Sequence, residues 1–213
     1  MAAIPRGFDT VAAARHLVRK DPTLKPWIRK LGPLEAPISW KQSFDTADAL
    51  ARSILYQQLS GKAAATIVGR VETAIGGPRL SGAALDSVSD EVLRACGVSG
   101  AKTRALRDLV ARQAAGEIPS YRQLVHLSDD VIIDRLTAVR GIGRWTAEML
   151  LMFRLGRPDV LPADDLGVRK GAQRVDGAEV MLTPKQLIAR SEAWGPYRTY
   201  AAMMLWRIAD LQL

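Results

Sequence analysis

Apolar residues recur at helical spacing along most of this chain, and no run alternates polar and apolar positions as a series of strands would. Val11, Ala14, Leu17 and Val18 line one face of a segment that follows Asp9-Thr10, a helix-capping pair. A second short helix is predicted from Asp21-Pro22 through Trp27 to Leu31. Gly32-Pro33 and Ala36-Pro37 end it, leaving Ser39 to Lys41 as a loop or short extended piece. Asp45-x-x-Asp48 caps a longer helix with Leu50, Ile54 and Leu55 on one side. That helix reaches Tyr56-Gln57-Gln58-Leu59-Ser60-Gly61 and restarts as Lys62 to Ile75, with Ala64, Ile67, Val68 and Val71 inward and Gly76-Gly77-Pro78 closing it. Further helices are expected over Ser87–Cys96, Ala101–Ala115, Ser120–Leu127, Asp129–Val139, Arg144–Phe153 and Leu166–Val175. Another runs from Thr183-Pro184 through Ser191, and the last from Pro196 to about Asp210. The pattern predicts an all-α chain of about ten helices. Residues 1–213 are expected to form one unit with two lobes, one spanning about 41–163 and the other built from about 1–40 and 164–213.

Charge adds a partner. The 213 residues are 48% hydrophobic and 24% charged, ordinary for a globular protein, but carry a net charge of +8. A polyanion is the economical explanation, although charge alone does not separate DNA from RNA or an anionic membrane. The single cysteine, Cys96, excludes an internal disulfide and any four-cysteine zinc or iron-sulfur site, and it reads as a small buried hydrophobe. His16 and His126 stand far apart without a cysteine partner, which argues against a metal site and for helix-surface or capping roles. The opening MAAIPRGFDT lacks the apolar stretch of a signal peptide, and no run reaches the ~20 apolar residues of a membrane span. A cytoplasmic location is expected, nucleoid-associated in a bacterium, with no membrane partner.

The chemistry concentrates between Leu136 and Asp165. A helical run meets Arg140-Gly141-Ile142-Gly143 and restarts at Arg144, so two glycines flank one apolar residue inside a hairpin, 136–154. Ile142 is expected to pin the hairpin into a core while the glycine amides, at the positive end of the next helix, face outward toward a phosphate oxygen. Arg140, Arg144 and Lys170 add charge. Asp165 follows Pro162 and precedes another helix. Singly, a G-x-G is mostly a turn and an aspartate before a helix mostly a cap. A phosphate clamp followed by a carboxylate points to work on a nucleic-acid backbone.

The linked pattern Leu136-x-x-Val139-x-Gly141-Ile142-Gly143-x-Trp145-Thr146-Ala147, followed by Leu161-Pro162-x-Asp164-Asp165-Leu166-Gly167-Val168-Arg169-Lys170, resembles the helix-hairpin-helix base-excision DNA glycosylases. Among them it is most similar to the 3-methyladenine DNA glycosylase II family, in a short form without an N-terminal β domain. The resemblance extends more weakly from about Asp45 to Trp206. It implies a two-lobed helical glycosylase fold and a monofunctional enzyme that flips alkylated purines, of the 3-methyladenine and 7-methylguanine type, out of double-stranded DNA. Hydrolysis of the N-glycosidic bond would leave an abasic site in base excision repair, with a monomer sufficient.

The resemblance also distributes roles. Asp165 becomes the catalytic carboxylate, stabilising positive charge on the sugar and orienting water, with Asp164 capping or supporting it. Trp145 and Tyr197 match base-pocket aromatics, Met149 stands where some relatives carry another aromatic, and Trp194 and Trp206 read as core at least as readily as pocket. Gln58, Leu59 and Ser60 belong to a stretch that lies on the minor groove and fills the gap left by the extruded nucleotide. Arg140, Gly141, Ile142, Gly143 and Arg144 grip the DNA backbone. Relatives that nick the strand carry a lysine where this chain has Trp145, so no lyase activity is expected. No cofactor is required, and the resemblance admits a monovalent cation on the hairpin carbonyls. Two other readings stay open: a glycosylase for a neutral lesion such as uracil or an oxidised purine, and a non-catalytic damaged-DNA-binding protein.

Overall fold

The computed structural model describes residues 3–211, and every regular element among them is helical. In chain order the α-helices are α1 (Thr10–Lys20), α2 (Lys25–Leu31), α3 (Thr46–Tyr56), α4 (Gly61–Ala74), α5 (Gly82–Asp86), α6 (Asp90–Ala95) and α7 (Gly100–Ala114). There follow α8 (Tyr121–Leu124), α9 (Asp129–Thr137), α10 (Arg144–Leu150), α11 (Leu166–Asp176), α12 (Pro184–Arg190) and α13 (Arg198–Ala209). Thirteen α-helices stand among the described residues where the apolar pattern predicts about ten helices. The helix that the pattern does not mark is α5, whose few residues are too short to show a period. Its signal is the cap, because the Ser81 hydroxyl accepts from Ala84 N. Ser60, Ser89 and Ser99 start α4, α6 and α7 in the same way.

The described residues divide into two compact units. One takes residues 3–4 with Ser43–Ala147, the other Pro5–Gln42 with residues 148–211. In the first, α3 packs on α4 and α7, with α5 and α6 against α7. Leu50, Ile54, Leu106, Leu109 and Leu136 are fully buried there, each burial contributing roughly 1.5–3 kcal/mol. In the second unit α11 lies along α13, while α1 packs on α2, α13 and a 3₁₀ turn at Ser191–Trp194. Its core holds Leu17, Trp194, Tyr200 and Leu205.

The second boundary falls within α10, between Ala147 and Glu148, whereas the sequence places it near 163. The reason lies in the carbonyls at the end of this helix. Helix termini leave such groups without partners, and here residues from the N-terminal segment supply them. Trp40 Nε1 donates to Met152 O over 2.7 Å, Ser39 Oγ to Phe153 O over 2.6 Å and Arg6 Nη2 to Arg154 O over 2.7 Å. Drawn outward in this way, Leu151–Leu155 forms a π turn in place of the last turn of an α-helix, and Gly156 closes it with a positive φ of 62°. A Cβ at Gly156 would run into the Gly7 backbone and the Trp40 ring. Ser39 and its neighbours form a 3₁₀ turn, Ile38–Lys41, in place of the expected loop or extended piece.

Candidate active site

Two neighbouring loops of the first unit carry the DNA-facing candidates. The hairpin between α9 and α10 turns at Gly141, with φ 79°, and Ile142 donates its N–H to Val139 O while its side chain is buried. Gly141, Gly143, Arg140 and Arg144 are exposed. A Cβ added at Gly143 would meet nothing within 4 Å, so the space in front of this residue is open. The Arg140 N–H is taken by Asp108 Oδ2 of α7 over 2.7 Å, and Arg112 grips the same carboxylate from one turn further along. Burial alone would raise the Asp108 carboxyl; the Arg140 amide and Arg112 outweigh it and hold it below the ordinary range. The carbonyls of Val139 and Gly141 accept Ile142 N and Gln57 Nε2 respectively, and that of Gly143 accepts Thr146 N and Ala147 N. A monovalent cation on the hairpin would share these oxygens with protein donors.

The second loop joins α3 to α4. Gln57 leaves α3 with ψ 135°, and Gln58 has φ 57°, a left-handed backbone that costs a residue with a Cβ about 1 kcal/mol. Leu59 is 40% exposed, and Ser60 caps α4. Gln57 ties this loop to the hairpin through its 2.8 Å bond to Gly141 O. Lys102 of α7 lies beneath, donating to Leu55 O over 2.7 Å and Gln57 O over 2.8 Å, and its burial pushes the ammonium pKa down. On α10, Trp145 is 49% exposed in the first turn and Met149 is half-buried one turn later.

The second unit carries the carboxylate. Asp165 caps α11: its Oδ1 accepts Val168 N over 2.8 Å and, over 2.7 Å, Trp206 Nε1 from α13. The cap expected of Asp164 is therefore made by Asp165, since only its backbone, extended at φ −67° and ψ 124°, leads directly into the helix; Asp164 is exposed. Trp206 is half-buried, stacked on Phe153 with centroids 5.9 Å apart, and serves the carboxylate, where the sequence reads it as core. A Cβ at Gly167 would lie 2.8 Å from Trp206 Cδ1 and 3.1 Å from Asp165 Oδ1, so the absence of a side chain there admits the indole. One turn on, a Cβ at Gly171 would collide with the Leu205 backbone. Gly167-x-x-x-Gly171 is thus a smooth strip along which α13 approaches.

Tyr197, directly before α13, is half-buried. Its ring meets His16 of α1 edge-on at 5.3 Å and lies 6.0 Å from Phe8, which in turn lies 4.7 Å from Trp40. His16 is therefore an aromatic neighbour of Tyr197, a placement its isolation in the sequence does not reveal. Trp194 is fully buried core, its indole N–H on Asp21. Cys96 is buried and free. Among the described residues no group of three or more His, Cys, Asp or Glu is placed to hold a metal ion.

Chemically, the first unit offers a hairpin with open space before a glycine and flanking cations, suited to a phosphate, beside a braced loop bearing an exposed leucine. The second offers a carboxylate with one oxygen fixed by two donors, suited to stabilising developing positive charge. Comparison with known proteins gives this geometry a context. The model of the HhH-GPD superfamily of base excision DNA repair proteins matches residues 51–196. The chain is 34% identical to DNA-3-methyladenine glycosylase 1 of Schizosaccharomyces pombe, over 92% of this chain and 86% of that protein. The structure of the S. pombe 3-methyladenine DNA glycosylase in complex with abasic DNA superposes with a TM-score of 0.81, covering 94% of this chain and 97% of that one at 34% identity. A DNA-3-methyladenine glycosidase from Bacillus halodurans gives 0.84 at 37% identity, covering 93% and 89%.

Proposed function

The chain belongs to the HhH-GPD superfamily of base excision DNA repair proteins, and from that membership we propose that it is a monofunctional DNA glycosylase releasing alkylated purines, 3-methyladenine and 7-methylguanine among them, from double-stranded DNA. The observation that carries the reading is the Asp165 carboxylate, whose Oδ1 is held by Val168 N and Trp206 Nε1. Fixed in this way, it stabilises the oxocarbenium-like sugar as the base departs and orients the water that replaces it. A base alkylated on a ring nitrogen is cationic and already a good leaving group, so the chemistry asks little of a general acid. An aromatic π face, as Trp145 and Tyr197 each offer, attracts such a base by cation–π contact, worth roughly 0.5–2 kcal/mol. Met149 adds a polarisable wall.

Gly141 and Gly143 present backbone to a phosphate, Arg140 and Arg144 add charge, and Leu59 with Gln58 fills the vacated step in the duplex. A tryptophan at position 145 provides no amine for Schiff-base formation, so the product is an intact strand with an abasic site. One flipped nucleotide per protein requires only a monomer. The deciding experiment measures free bases released from methylated duplex DNA by the wild type and by Asp165→Asn, then strand breakage with and without alkali. Release by the wild type alone, with breakage only after alkali, supports the reading. Full activity of Asp165→Asn would sink the mechanism; release of uracil or oxidised purines in place of methylated ones would move the substrate class to neutral lesions.

A further inference from the structure

Helix α7 touches both DNA-facing loops of the first unit. Near its start Lys102 donates to Leu55 O and Gln57 O, and two turns on, about 9 Å along the axis, Asp108 accepts the Arg140 N–H of the hairpin. Gln57 closes the circuit by donating to Gly141 O. The carbonyls at the end of α3 are unpartnered within that helix and carry its negative dipole, so an ammonium is well matched to them. Its position also matters. The chain turns at once into the left-handed residue Gln58 and then the exposed Leu59. A left-handed residue with a Cβ persists only where its surroundings hold it, and here Lys102 holds the carbonyl of the residue before it. Partial burial lowers the pKa of this ammonium.

We propose that Lys102 is a positioning residue for nucleotide extrusion: by holding Leu55 O and Gln57 O it sets the Gln58-Leu59 wedge at a fixed distance from the hairpin that grips the phosphate. The proposal rests on the glycosylase reading above. The Lys102 ammonium is directed at the protein carbonyls Leu55 O and Gln57 O, so its effect is confined to the step in which a paired nucleotide leaves the stack. That step is costly for a paired base and cheap for an unpaired one, which separates positioning from general stability.

The test compares single-turnover release of 7-methylguanine from a duplex in which it pairs with cytosine and from the same strand with the lesion in a one-nucleotide bulge. Lys102→Met and Leu59→Ala are each expected to slow release from the paired duplex about ten-fold, as a displaced positioning group does, and from the bulge by less than about two-fold. The double variant is expected to be no slower than Leu59→Ala alone, because both changes remove one function. Lys102→Arg, which retains donors for both carbonyls, restores most of the paired rate. Should Lys102→Met fold poorly, Lys102→Gln with a shorter amide donor replaces it and is expected to lose part of the paired rate with the bulge rate retained. Equal slowing on both substrates, or wild-type release from the paired duplex, overturns the proposal. If the wild type releases base from neither substrate, the glycosylase reading falls first and this one with it. If Leu59→Ala and Asp165→Asn behave as described and Lys102→Met does not, only the positioning role falls.

Discussion

Trp206 donates its indole N–H to Oδ1 of Asp165 over 2.7 Å, across the line where α11 and α13 run together. The carboxylate that the proposed chemistry depends on is therefore aimed by a residue near the far end of the chain. Replacing Trp206 with Phe keeps an aromatic ring on Phe153 and removes only the donor. Base release is expected to fall about ten-fold or more, since a misaimed catalytic group loses rate steeply. Folding stability is expected to drop by only about 1 kcal/mol, the worth of one hydrogen bond. Single-turnover release beside a thermal melt checks both, and unchanged release would show that Val168 N alone fixes the carboxylate.

The two glycines of α11 separate activity from folding. At Gly167 an added methyl meets the edge of the Trp206 ring, which can swing away. Gly167→Ala is expected to retain a cooperative melt, at a loss of about 1–2 kcal/mol, while release falls as far as in Trp206→Phe. At Gly171 the obstacle is the Leu205 backbone, which cannot yield without parting the helices. Gly171→Ala is expected to lose more than about 3 kcal/mol and to yield little folded protein. Denaturant titration of both variants decides the matter.

At the hairpin the contrast is reversed. Gly143 faces open space, so Gly143→Ala is expected to cost at most about 1 kcal/mol of stability. Its methyl group would occupy the place of a phosphate oxygen, and affinity for abasic duplex is expected to fall more than about ten-fold. Arg140→Ala should weaken binding at every sequence alike and reduce the slope of log affinity against log salt by about 1. Titrations at several salt concentrations test both changes, and a salt slope unchanged in Arg140→Ala would remove that residue from the phosphate grip.

A further prediction concerns acid stability. Burial alone would push the Asp21 carboxyl up, but hydrogen bonds from Thr23, Trp194 and Arg190, together with the Arg190 charge, overturn this and hold it below the ordinary aspartate range. A carboxylate depressed in the folded state contributes stability that is complete above the unfolded pKa, roughly pH 4, and is lost as pH falls through the folded value. Asp21→Asn is expected to cost about 3 kcal/mol at neutral pH, because Arg190 and the Trp194 indole lose a largely buried partner. The gap between variant and wild type is expected to narrow below pH 4. Equilibrium unfolding at pH 7 and pH 3 reads the difference; a gap of equal size at both would show that the charge on Asp21 is not the source.

What the sequence made legible follows the range of the interactions. Caps and apolar periodicity are local, and they place Asp9, Asp45 and Thr183 at the starts of α1, α3 and α12. The hairpin, with Ile142 inward between two exposed glycines, is equally local. The missing parts depend on partners remote in sequence. Trp206 is one of five tryptophans until α13 is laid along Gly167 and Gly171. In sequence Lys102 is only one of four basic residues of α7, with Arg104, Arg107 and Arg112; its partners, the carbonyls at the end of α3, lie more than forty residues away. The π turn at Leu151–Leu155 and the displaced boundary arise together, because the side chains that draw those carbonyls outward come from Arg6, Ser39 and Trp40, more than a hundred residues earlier.

The second unit, taking residues from both sides of the first, also sets an order of events on the ribosome. Residues Pro5–Gln42 emerge before the first unit, yet the elements that cover them, α13 and the turn at Ser191–Trp194, are made only after it. The first unit is nearly continuous and can close while α1 and α2 wait with their apolar faces bare. Joining segments separated by a loop of roughly 100 residues costs about 4 kcal/mol of chain entropy; a compact first unit removes much of that cost by bringing the loop ends under control. A nascent chain halted before Trp206 would thus expose sticky helices to chaperones and proteases and also lack the indole that aims Asp165. Burial of those apolar faces and the proposed aiming of Asp165 therefore both wait on α13.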